Sequence, residues 1–267
     1  AYRRQRQMCI RDRCEGSSTT SFREIPTNSH NASTSQISRT WQKLYSAIYD
    51  ANDFIETVSG RMDNWGSSDR ELATIYLGEA RALRALFYFE LVRWYGNVVL
   101  MTSTADSRRK DETFEQTAAK DVYAYIEEDL KYAAEVLPWA VDDTRRTTNA
   151  YRFSKGAALG LLAKVYCTWA GYPVRDESKW AEAEKAARRV VESGKHRLIS
   201  DYETVWKNTC NGIWDAGESL IEVSFYSPTG LDSDNTAGRI GKWNGVSATT
   251  IDGERGRNAA NWKVVYT

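Results

Sequence analysis

Three acids, Asp232, Asp234 and Asp252, share the last fifth of the chain with Trp243 and Trp262. Two positioned carboxylates beside an aromatic surface are the equipment of glycoside hydrolysis, but no element here sets the separation of these loop acids. His30 and His196 stand alone, which gives histidine metal clusters and His-based triads no support in the sequence. Cys9-x4-Cys14 has neither the spacing nor the histidines of a zinc site. Cys167, inside an apolar helical run, reads as a small core residue, and Cys210 as an unassigned loop thiol. The chain has no glycine-rich phosphate loop and no nucleophile elbow. We therefore assign no catalytic residue, no metal ligand and no cofactor. What remains is aromatic: Trp243, Trp262 and Tyr226 lie in polar sequence with no apolar neighbours to bury them.

The 36 basic and 36 acidic side chains balance, which removes the usual electrostatic argument for nucleic acid, and no concentrated basic face is evident outside the first residues. The first 13 residues carry five Arg and one Asp, and without them the chain is mildly acidic. Residues 1–16 read as a non-native or disordered leader, lacking the apolar stretch and cleavage site of a signal peptide. No run approaches the roughly 20 apolar residues of a membrane span. With 267 residues, residues 17–267 suffice for one domain with a sizeable core.

The elements that position those aromatics follow from periodicity. After a polar loop over 17–39, Trp41, Leu44, Tyr45, Ile48, Ala51, Ile55 and Val58 recur at three- and four-residue steps and predict a helix ending near Gly60. A second helix is expected from Ser67–Ser68, with Ser68 and Glu71 as a capping box, to Tyr95 before Gly96. Gly78 in its interior predicts close approach of another helix, since glycine there costs about 1 kcal/mol. Further helices are expected over 117–137, from a Ser154 cap to Trp169, and over 178–193 with Trp180, Ala183, Ala187, Val190 and Val191 inward. Trp41, Tyr45, Trp94, Trp169 and Trp180 fall on helix stripes and read as core. Beyond Gly194 the character changes. Leu198 to Tyr202 leads into a loop, Glu218 to Phe225 alternates like a short strand, and 227–262 is rich in Gly, Asn, Ser and Thr. The fold class is mostly α, a scaffold of tetratricopeptide-like helical pairs over about 38–195 with an irregular, loop-rich region and a few short strands over about 196–267.

Five segments carry a family resemblance: WQKLYSAIYDANDFI (41–55), GEARALRALFYFELVRWYGNVVL (78–100), VYAYIEEDLKYAAEVLP (122–138), SKGAALGLLAKVYCTW (154–169) and 181–198, followed by 218–225. In order and spacing the chain resembles the SusD/RagB nutrient-binding lipoproteins of the Bacteroidetes outer membrane. The second segment is the most specific. The resemblance implies a surface lipoprotein that binds oligo- or polysaccharide without catalysis and passes it to a SusC-like TonB-dependent transporter. It touches the membrane only through a lipid anchor. Members begin with a signal peptide and a lipid-accepting Cys, a role for which Cys14 has the wrong preceding residues, and they continue well past residue 267. On this footing the sequence is an internal piece, truncated at both ends.

In that family the binding aromatics come from loops after the repeats and from the loop before the first helix. By position this points to Trp243 and Trp262, with Tyr226, and to Asn244, Asn235 and Asn31 as hydroxyl partners. The physics suits sugar recognition, because a pyranose has a C–H face that packs on an indole, and its hydroxyls need amide partners. Two other functions compete, a cytosolic helical-repeat adaptor for a peptide or protein partner and a glycoside hydrolase. The adaptor leaves the tryptophan-bearing tail unexplained; the hydrolase needs paired carboxylates.

Overall fold

A computed structural model describes residues 30–107, 114–147 and 151–223, with 250–251 and 254–255. They belong to two units, residues 1–40 with 224–267, and residues 41–223. In the first unit, a turn at 31–34 leads into α1 (Ser35–Ser59), and β1 (Thr250–Ile251) pairs antiparallel with β2 (Glu254–Arg255) in the register Thr250 to Arg255. The predicted mostly helical class is present, and β1 and β2, two residues each, are the only strands among the described residues.

The second unit holds the helices: α1 continuing to Ser59, α2 (Ser67–Tyr95), a short α3 (Thr104–Ser107), α4 (Ala119–Val136), a short α5 (Thr144–Thr147), α6 (Lys155–Ala170), α7 (Lys179–Glu192) and α8 (Tyr202–Asn211). Packing runs in order, α2 on α4, α4 on α6 and α6 on α7, so each helix covers the face its predecessor leaves open. The sealed centre is built from Tyr88, Phe89 and Leu91 of α2, Val122, Ile126 and Leu130 of α4, and Leu159, Val165 and Tyr166 of α6. Gly78 explains how closely α2 meets the end of α4: a Cβ there would lie 2.5 Å from Val136 Cγ2 and 3.1 Å from Leu137 Cδ2. Tyr123 stacks on Trp169 at 5.6 Å, and Lys179 lies over the same indole, its Nζ 3.9 Å from the ring centre.

One polar network crosses this carbon core. Arg84 donates from Nε and Nη2 to the two oxygens of Asp129, each at 2.8 Å, and from Nη1 to Asn52 Oδ1 at 2.7 Å. Asn52 Nδ2 in turn donates to the Met101 carbonyl, which also accepts the Tyr88 hydroxyl. Burial opposes the guanidinium charge, and the Asp129 bonds more than offset it, raising the Arg84 pKa. The network pins α1, α2, α4 and the segment after α2 in one register.

Several expectations need correction. Trp94 and Trp180 are exposed rather than core, as are Ala187 and Val191, and the inward face of α7 is Ala183 and Ala186 with Val190 half-buried. Cys167 is also exposed, because Val165, Tyr166 and Trp169 take the inward positions of α6. Two residues along a helix is about 200° around it, so Trp94 faces away when Val92 faces in. Ser68 caps nothing: α2 already begins at Ser67, and its N-cap is Gly66 without a side-chain bond. Ser154 does cap α6, accepting from the Ala157 amide at 3.3 Å. The stretch 202–211 is a helix, capped by Asp201 through the Glu203 and Thr204 amides, and 218–223 is not a strand. Among the described residues no helix is long and apolar enough to cross a membrane.

Candidate functional site

Trp243, Trp262, Tyr226, Asn244 and Asn235 lie outside the described residues. Asn31 lies within them, exposed, just ahead of α1. Its side-chain oxygen accepts the Ser33 amide at 2.8 Å, and its own amide donates to Thr34 Oγ1 at 3.1 Å. Asn31 therefore shapes the turn that starts α1, and it spends its amide oxygen doing so.

The second unit holds a feature not anticipated from sequence. A cavity of about 540 Å³ opens between α1 and α2, walled by Phe54, Tyr76, Leu83 and Phe87 and floored by alanines of both helices. Phe54 and Leu83 are partly exposed at its mouth. Small residues at Ala47, Ala51 and Ala80 leave the space, and Phe54 of α1 with Tyr76 and Phe87 of α2 flank it. Its polar edge consists of Asp50, Glu79 and Arg152, the last arriving from the segment before α6. Arg152 grips Glu79 through two bonds, Nε to Oε1 at 3.0 Å and Nη2 to Oε2 at 2.7 Å, and lies over the Tyr76 ring. Burial pushes the Glu79 carboxyl above its ordinary range, against the pull of Arg152.

This arrangement takes an apolar group better than a hydroxyl-rich one. A hydroxyl moved from water into a carbon-walled space needs a replacement partner, and at this one polar edge Glu79 and two of the Arg152 nitrogens are committed to each other, which leaves Asp50 and the Nη1 end of Arg152 against a lining of carbon. Acid–base work is poorly served for the same reason, since the one desolvated carboxylate is held by a guanidinium. No cluster of three or more metal-ligating side chains occurs among the described residues. The cavity was illegible in sequence because its lining comes from α1, α2 and Arg152, each piece unremarked within its own segment.

Comparison with known proteins places this scaffold. A family described as "Starch-binding associating with outer membrane", SusD-like, matches residues 9–167. A SusD-like protein of Bacteroides ovatus is 30% identical over 193 residues, 71% of this chain and 33% of that protein. The crystal structure of a SusD homolog from Bacteroides thetaiotaomicron superposes with a TM-score of 0.83 at 60% identity, covering 92% of this chain and 46% of that one. A laminarin-binding SusD-like protein superposes at 0.61 with 26% identity, covering 79% and 42%. A structure with a xylogluco-oligosaccharide superposes at 0.62 with 25% identity, covering 81% and 42%. The chain thus spans half or less of the length of these proteins, and it belongs to the SusD-like family.

Proposed function

We propose that this protein binds oligo- or polysaccharide at the bacterial cell surface and delivers it, chemically unchanged, to a SusC-like TonB-dependent transporter in the outer membrane, to which it is tethered as a lipoprotein. The observation that carries this proposal is the family match across the helical scaffold; relatives on the same scaffold include a laminarin-binding protein and one with a xyloglucan fragment.

The division of labour follows from the chemistry. The helices supply stiffness, and recognition falls to Trp243, Trp262 and Tyr226, whose ring faces would stack on sugar C–H faces, with Asn244, Asn235 and Asn31 serving hydroxyls. For Asn31 that role falls to the side-chain NH₂, since its oxygen serves Ser33. The α1–α2 cavity, being carbon-walled, is not the glycan site in this scheme.

Electrophoresis of the 267-residue chain through gels containing starch, laminarin or xyloglucan tests the proposal. At least one glycan should retard the protein, without release of reducing sugar, and Trp243→Ala with Trp262→Ala should abolish the retardation. Retardation by none of a broad glycan panel, with helical circular dichroism intact, would refute glycan binding.

A further inference from the structure

We propose that Trp94, on the helical scaffold and apart from the loop aromatics, is a second glycan-contact residue, a stacking platform for a single sugar ring; this rests on the glycan-binding function proposed above. Trp94 sits in the last turn of α2 and is 61% exposed. Its indole N–H donates to Glu90 Oε2 at 3.1 Å, and the same carboxylate accepts Arg93 Nη2 at 2.6 Å on each oxygen. Arg93 is itself seated, its guanidinium 4.9 Å from the centre of the buried Phe89 ring. A chain of contacts therefore runs from the core to an outward-facing indole, and it satisfies the one polar atom of that ring. What is left to offer is the apolar face.

The backbone beneath is braced as well. Tyr95, the next residue, meets Trp41 edge-on at 4.9 Å, and Trp41 packs on Tyr45 at 4.8 Å. Tyr45 donates its hydroxyl to the Val99 carbonyl at 2.8 Å, which ties the segment leaving α2 to α1. Gly96, with φ of +74°, ends the helix directly after. The platform is thus fixed before any ligand arrives, which lowers the ordering cost of binding.

The frame around the ring selects the class of partner. A protein-docking patch presents contiguous apolar surface at its centre, whereas the Trp94 ring is bordered on its own helix by Glu90 and Arg93. A lone indole face within a charged border matches a pyranose, whose C–H face stacks and whose hydroxyls meet carboxylate and guanidinium groups. The two Glu90 bonds engage only the Nη2 end of Arg93, which carries five N–H donors in all. Trp180 and Trp206, also exposed, have no such hydrogen bond among the described residues, and they serve as internal controls.

The test is gel retardation of the 267-residue chain on starch, laminarin and xyloglucan, with four variants. Trp94→Ala should weaken apparent affinity about three- to tenfold, the worth of one aromatic contact. Trp94→Phe should keep most of it, Glu90→Gln should cost about twofold by loosening the ring, and Trp180→Ala should change nothing. Equal retardation of wild type and Trp94→Ala, or equal losses in Trp94→Ala and Trp180→Ala, would overturn the assignment while leaving glycan binding intact. Loss of transporter co-purification with unchanged glycan retardation would assign Trp94 to a protein interface instead and likewise overturn it. Failure of the wild type on every glycan would remove the parent function and this site together.

Discussion

Two arginine–carboxylate pairs in the second unit share the same chemistry and differ in their surroundings. Arg84 and Asp129 join α2 to α4 with side chains 6% and 2% exposed, and Arg84 also donates to Asn52. Arg197 and Asp215 join the segments before and after α8 with side chains 64% and 28% exposed. Both are two-bond contacts, yet only the first sits where water cannot replace a lost partner. The lesson is that the α2–α4–α6 body is sealed, and losing one of its groups is felt throughout. The 196–223 segment is stitched by contacts that solvent can substitute.

The sharpest way to break that contrast is Arg84→Ala. Removing one member of a buried pair costs about 3–5 kcal/mol, here with Asn52 and Asp129 both left short of partners. Urea unfolding should show that loss, and Arg84→Met combined with Asp129→Leu should recover much of it. A loss below about 1 kcal/mol would mean that water reaches the α2–α4 seam.

Next in size is Gly78→Ala. Its new methyl collides with Val136 Cγ2, and overpacking costs about 1–3 kcal/mol, partly returned by the better helix propensity of alanine. Val136→Ala in the same chain should relieve the collision, so the double variant should lose less than the two single losses combined in the same unfolding assay.

Glu127 gives a smaller and pH-dependent effect. It accepts Tyr166 at 2.8 Å, Lys179 at 2.9 Å and Lys131 at 2.6 Å. Burial pushes its carboxyl up, and these partners more than offset that, leaving the pKa below the ordinary 4.5. A carboxylate lowered in this way adds stability that is complete above about pH 4.5 and fades as pH falls through the folded-state value. Glu127→Gln should therefore lower stability by about 1 kcal/mol near neutrality and flatten the acid limb of a stability–pH curve. An unchanged acid limb would show that the three partners contribute nothing net.

Smallest of all is Arg197→Ala. An exposed pair is worth about 0–1 kcal/mol and is screened by salt, and the Arg197 amide keeps its bond to the Gly217 carbonyl. Its midpoint shift should vanish in high salt; a loss rivalling that of Arg84→Ala would erase the contrast.

What could be read from sequence was local. Ser154 as a cap and Gly78 as a close approach are visible because a single residue and its immediate neighbours decide them. The facing of Trp94, Trp180, Val191 and Cys167 depends on which neighbour covers a helix, and one helix's apolar stripe does not carry that information. Helix α8 was hidden because its cap, Asp201, follows Leu198-Ile-Ser and reads as part of a loop. The cavity was hidden for a tertiary reason, since Arg152 reaches Glu79 across 73 positions of sequence. Of the glycan residues expected from the sequence only Asn31 lies among those described, where a local turn has claimed its oxygen.

Hydrogen exchange of the intact chain with and without a retarding oligosaccharide tests most directly whether recognition falls to residues 226–262 and 90–97 rather than to the sealed helices. The account predicts slowed exchange in peptides covering 226–262 and in those covering 90–97, with α4 and α6 unchanged because they are already sealed. Protection confined to the peptides lining the α1–α2 cavity, or spread through α4 and α6, would contradict it.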